Sequence, residues 1–135
     1  MDIEFIMSEL DFRLIEKVRE LRIKSKISQV VLSQKIGVSE GYIGNIENHR
    51  LPNKYNIRLL ARVAIALELK SYIELFPEEI YSNDLVRIKI ELFNKEEIKL
   101  KGKSSEIVER FKSLSIKPLT ENEIVKYDKD KTSIK

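Results

Sequence analysis

The polar side chains that could do chemistry in this chain gather between Ser28 and Arg50, in the stretch SQVVLSQKIGVSEGYIGNIENHR. They do not form a catalytic pattern. The 135 residues include no cysteine and one histidine, and there is no glycine-rich phosphate loop and no histidine–carboxylate cluster. The acidic pairs Glu96-Glu97 and Glu121/Glu123 read as a turn and a helix start. No enzymatic activity, no cofactor and no metal site is therefore expected. What the stretch offers is recognition. Ser28 and Gln29 open a helical pattern whose first backbone amides, unpaired within the helix, favour an anion. Ser39, Glu40, Gly41, Gly44 and Asn45 lie on the face of a second helical pattern that is left free to meet a partner.

Those side chains need two short helices and a tight turn to hold them. Ser28 caps the first, and Val31, Leu32 and Ile36 fall on one face of it, giving a helix over about 28–36. Gly37 supplies the left-handed conformation that stops a helix, and Val38 returns to the core. Ser39 caps the second helix, over about 40–48, with Tyr42, Ile43 and Ile46 turned inward or sideways. Upstream, residues 1–7 read as an extension. Ser8 to Asp11 caps a helix carrying the stripe Leu10, Leu14, Val18 and Leu21, which ends near Lys24 to Lys26. Downstream, Asn48 to Asn56 is a turn-rich loop. Ile57 to Leu67 is a fourth helix, with Ile57, Leu60, Ala61, Ala64 and Leu67 at helical spacing, and Lys70 to Phe76 is a short fifth, closed by Pro77.

Five helices in this order, with this turn, resemble the DNA-binding domain of phage Cro and repressor proteins and the Xre family of bacterial regulators. The resemblance covers about residues 10–78. It implies a compact helical domain whose second motif helix lies in the DNA major groove. It implies that Gln29 contacts backbone phosphate and buttresses the reading helix, with Ser28 beside it. Base-reading positions fall on Ser39, Glu40, Gly41 and Asn45, and the Asn45 carboxamide can pair bidentately with adenine. Tyr42 matches an aromatic found beside the sugar-phosphate backbone, core packing being the other reading. Arg50, Lys54, Tyr55 and Asn56 match a phosphate-clamping loop. Arg22 and Glu47 match a partly buried ion pair joining the first helix to the end of the third. The chain departs from the pattern at Ser33 (usually Ala), Glu40 (often Gln), Gly44 (often Ser) and His49 (usually Gly), and His49 is read as filling a helix-end position.

Charge agrees with this reading. Net charge is only +3 and the pI about 9.0. Yet Arg13 to Lys70 holds 12 lysines and arginines against five glutamates, the excess that phosphate neutralisation needs. A composition of 42% hydrophobic and 35% charged residues fits a globular protein. No apolar run approaches the roughly 20 residues of a membrane span. The acidic start MDIEFIMSEL is unlike a secretory signal, and a cytoplasmic location is expected.

Beyond Pro77 the pattern changes. Val86, Ile88, Ile90 and Leu92 alternate with polar neighbours, predicting a strand over Val86–Phe93. Asn94 to Glu97 reads as a turn and Ile98 to Leu100 as a second short strand. Ile107, Val108, Phe111 and Leu114 read as one face of a helix, and Thr120 to Glu123 as a capping box for a final short helix. The expected fold class is thus mainly α: a five-helix DNA-binding domain over 8–78, a small α+β unit over 84–127, and a frayed tail over 128–135. A small hairpin unit buries little alone, so it should dock on the first domain, pair with a second copy, or both. The function expected is a sequence-specific DNA-binding regulator, a repressor acting as a homodimer on double-stranded DNA. The C-terminal unit would serve dimerisation or effector sensing, with Val86–Phe93 as interface. The alternative is an antitoxin or adaptor that binds a partner protein through that unit and autoregulates through the helix pair.

Overall fold

The computed structural model describes residues 2–101 and 105–133. In chain order they form β1 (Asp2–Ser8), α1 (Glu9–Lys24), α2 (Gln29–Lys35), α3 (Tyr42–Glu47), α4 (Ile57–Ala66), a 3-10 turn (Tyr72–Leu75), β2 (Leu85–Lys99), β3 (Ser105–Pro118) and α5 (Glu121–Ser133). The architecture is mixed: a helical layer packed on a three-stranded antiparallel sheet of order β1-β2-β3.

The first correction concerns residues 1–7. Residues 2–8 are a strand rather than an extension, and pair along β2 from Asp2↔Glu91 to Ser8↔Leu85. The alternation of Ile3, Phe5 and Met7 with Asp2, Glu4 and Ile6 has the strand period of two. At Ser8 the strand passes directly into α1, its Oγ accepting a hydrogen bond from the Asp11 N–H at 3.4 Å. Of the expected stripe on α1, Leu14 and Val18 are buried and Leu21 packs partly against the core, whereas Leu10 is left 44% exposed; Phe12, Ile15 and Arg22 complete the buried face. The sheet offers Val86, Ile88 and Ile90, all fully buried, to the same core. In α4, Leu59, Leu60, Val63 and Ala64 face inward with Leu67 just beyond, while Ile57 points out at 86% exposure. The expected fifth helix is a single 3-10 turn. Ser71 caps it and Glu74 answers in a capping box, burying Leu75.

The C-terminal region departs most from expectation. β2 does not turn at Asn94 to Glu97 but runs on to Lys99, with register irregularities between Glu91 and Leu92 and between Leu92 and Lys95. The expected helix around 107–114 is strand β3. A bulge accounts for the misleading spacing in β3. Glu91 pairs with Ser113 but Leu92 with Phe111, so Lys112 is the extra residue. Leu114 and Phe111, three apart, thereby come to one side of the sheet and mimic helical spacing. The Thr120 capping box is present, with Glu123 N–H donating to Thr120 Oγ1 at 3.2 Å and Thr120 N–H to Glu123 Oε1 at 3.0 Å. α5 then continues through 128–133, where frayed chain was expected. β2 is also the central strand, paired with β1 and β3, so over Val86–Glu91 its backbone is not free to add a strand from a second copy. Among the described residues no helix is long and apolar enough to cross a membrane.

Candidate nucleic-acid interface

Ser28, extended at φ −74° and ψ 162°, accepts a hydrogen bond from the Val31 N–H at 3.0 Å and starts α2. Leu32 and Ser33 are its buried residues. Ser33 does more than pack closely. Its Oγ donates to the Gln29 carbonyl at 2.8 Å and accepts from the Ile43 N–H at 3.3 Å, stitching α2 to α3. A serine where alanine is usual was the visible signal for this bridge.

After Ile36 the chain turns at Gly37, whose φ of +75° lies in the left-handed region where a Cβ is strained. The Nη1 of Arg62, on α4, donates to the Ile36 carbonyl at 2.9 Å and closes the end of α2. The next helix begins later than expected. Gly41, not Ser39, is the residue before α3, and it provides no side-chain cap. Ser39 contributes its carbonyl instead, accepting from the Tyr42 N–H at 3.0 Å.

The residues expected to read bases divide clearly. Ser39, Glu40, Gly41 and Asn45 are exposed, and Gln34 Nε2 reaches Glu40 Oε1 at 3.5 Å. The Asn45 carboxamide has no hydrogen-bond partner among the described residues. Tyr42 is half-buried against the core. At Gly44 the Gln29 side chain packs closely on α3: a Cβ there would stand 3.1 Å from Gln29 Oε1. The half-buried Gln29 donates through Nε2 to Glu47 Oε1 at 3.1 Å.

Glu47 is buried and holds a fork from Arg22, with Nε to Oε2 at 2.8 Å and Nη2 to Oε1 at 2.7 Å. Arg22 is 1% exposed and donates from Nη1 to the Ile27 carbonyl at 2.8 Å and to Glu106 Oε2 at 2.7 Å. Burial opposes its charge, but hydrogen bonds and attraction from Glu47, then Glu106, outweigh that and hold its pKa above the usual guanidinium value. Sequence reasoning missed Glu106, which meets Arg22 across 84 residues of chain and carries no local signal.

The loop after α3 also divides. Arg50 is exposed, its N–H donating to Asn48 Oδ1 at 3.0 Å. Lys54 reaches the surface, with Asp11 Oδ2 at 3.7 Å from its Nζ. Asn56 caps α4, accepting from the Leu59 N–H at 2.8 Å. Tyr55 requires a correction: it is 8% exposed within the core, so its side chain does not face a phosphate. Along the loop Lys54 and Asn56 are exposed while Tyr55 between them is buried. Burial, then the Glu47 charge, pushes the phenol pKa up. His49 is buried rather than simply ending a helix. Its ring stacks on Phe5 of β1 at 5.1 Å and 6°, and Nε2 lies 2.9 Å from Glu16 Oε2. Among the described residues no group of three or more His, Cys, Asp or Glu side chains could hold a metal ion.

A capped α2, a left-handed glycine turn, and a short α3 with an exposed polar edge at its start are thus in place. Residues 18–64 match the helix-turn-helix family. This segment is a Xre/Cro-like helix-turn-helix. The match covers less than half of the chain, and the sheet and α5 lie outside it. Comparison with curated proteins and with solved structures found no match. The helix-turn-helix is the DNA-binding module of transcriptional regulators. A cleft of about 240 Å³ separates it from the sheet, with Gln29, Gly44 and Arg50 on one wall and Leu92, Ile107 and Phe111 on the other.

Proposed function

We propose that the protein is a sequence-specific DNA-binding transcriptional regulator, a repressor that acts as a homodimer, with α3 lying in the major groove. The observation that carries this reading is the exposed edge Ser39–Glu40–Gly41–Asn45 on a helix-turn-helix whose inner face is fully packed. Asn45 reads a base, Ser28, Gln29, Arg50 and Lys54 engage the backbone, and the glycines at 41 and 44 let the duplex approach closely. With so few side chains able to read bases, one copy specifies little sequence. Two copies on half-sites about one helical turn apart supply the rest. Because β2 is flanked on both sides, the rim strands β1 and β3 are the sheet positions a second copy could reach.

Selection of bound duplexes from a random pool tests the reading. The expected result is an enriched motif with two-fold symmetry and half-site centres about 10 bp apart. Enrichment of an asymmetric single site would overturn the homodimer, and no enrichment would overturn sequence-specific binding.

A further inference from the structure

α3 is only six residues long and has no side-chain N-cap. Helices this short are not stable alone, so neighbours must fix its orientation. Two external devices do so. Ser33 holds its start through the Ile43 N–H, and the Arg22 fork holds its end through Glu47.

Arg22 itself is held from a third direction. Both Nη1 protons are used, one on the Ile27 carbonyl and one on Glu106 of β3. A second tie lies close by in the chain, where the Lys101 N–H donates to the Lys26 carbonyl at 2.9 Å. The far end of the β2–β3 hairpin is therefore pinned to the α1–α2 connection, and its carboxylate faces the guanidinium that carries the reading helix.

We propose that Glu106 is a positioning residue for the helix-turn-helix. It fixes the Arg22 plane, which fixes Glu47, which receives Gln29 against Gly44. The chain of contacts is Glu106–Arg22–Glu47–Gln29, at 2.7, 2.7–2.8 and 3.1 Å. Without Glu106, one Nη1 proton of a nearly fully buried guanidinium loses its acceptor, and the fork must shift or admit water. The sheet thus sets the angle between α2 and α3 as well as sealing the core.

The consequence for DNA rests on the reading above, whereas the consequence for α3 does not. The test compares full-length wild type with Glu106→Ala, Glu106→Gln, Gln29→Ala and the Glu106→Ala/Gln29→Ala double variant. In free protein, amide hydrogen exchange at Gly44 to Asn48 should accelerate about tenfold in Glu106→Ala, with Leu60 to Ala64 of α4 unchanged. Glu106→Gln keeps an acceptor oxygen and should stay near wild type. On a selected duplex, Glu106→Ala should bind several-fold more weakly, with no further loss when combined with Gln29→Ala. Equal acceleration across α3 and α4, or none in α3, overturns the proposal, as do additive losses on DNA. If wild type binds no duplex, the DNA-binding reading fails while the exchange data still decide the role of Glu106.

Discussion

Asn45 and Gly44 are neighbours with opposite uses. Asn45 offers a free carboxamide, and Asn45→Ala should cost about 1–3 kcal/mol of discrimination at one base position, seen as a selected-versus-random affinity ratio that shrinks. Equal losses on both duplexes would reassign Asn45 to the backbone. Gly44 is a glycine inside a helix, which costs roughly 1 kcal/mol relative to alanine. The atom facing its missing Cβ is the end of a flexible glutamine, 3.1 Å away, which can move. Gly44→Ala should therefore keep or raise the unfolding midpoint while weakening DNA binding, because Gln29 is displaced; a lowered midpoint would show that Gln29 cannot give way. At Tyr55 the buried hydroxyl has no hydrogen-bond partner among the described residues. Tyr55→Phe should be neutral or stabilising by up to about 1 kcal/mol with DNA affinity unchanged, whereas a tenfold loss on DNA would place that hydroxyl at the interface after all. The family resemblance put Tyr55 in a phosphate-clamping loop, and residue types alone do not show which way each side chain of that loop points. The packed structure decides it, with Lys54 and Asn56 exposed and Tyr55 in the core.

The elements that could be read correctly have local causes. α2 has its cap at Ser28 and its stop at Gly37, and the final helix has its box at Thr120 and Glu123; both depend on residues a few positions apart. The elements misread are those shaped by distant pairing. β1 exists because β2 receives it, and β3 is a strand although its apolar spacing suits a helix, since the bulge at Lys112 shifts the period. The start of α5 carries a pH signature. The Thr120 backbone N–H, then Arg87 at 2.9 Å and the Thr120 hydroxyl, hold the Glu123 carboxyl below the usual carboxylate range. A lowered folded-state pKa stabilises above the ordinary carboxylate pKa, and that contribution is lost as pH falls through the lowered value. Acid titration followed by NMR should therefore show Glu123 protonating below an ordinary glutamate, with the first turn of α5 loosening in the same pH range; protonation in the ordinary range would remove this role.

For the whole molecule, the decisive fact is that one core serves both halves of the chain. Phe12, Ile15 and Val18 of α1 share it with Val86, Ile88 and Ile90 of β2. Truncation after Ser82 removes three fully buried residues, each worth about 2–5 kcal/mol on the scale of large-to-alanine changes, against a total stability of only about 5–15 kcal/mol. The truncated chain should lose cooperative thermal unfolding rather than yield a folded monomer, and a sharp transition would show that the helical part stands alone. The sequence by itself determined the helix-turn-helix, its exposed polar edge and the basic excess around it, because the Ser28 cap, a left-handed glycine and apolar spacing act over a few residues. Tertiary structure alone decided that residues 2–8 are a strand, that Tyr55 and His49 are buried, and that Glu106 reaches Arg22. Those facts depend on which distant segments can share one core and one guanidinium, and no local pattern encodes that.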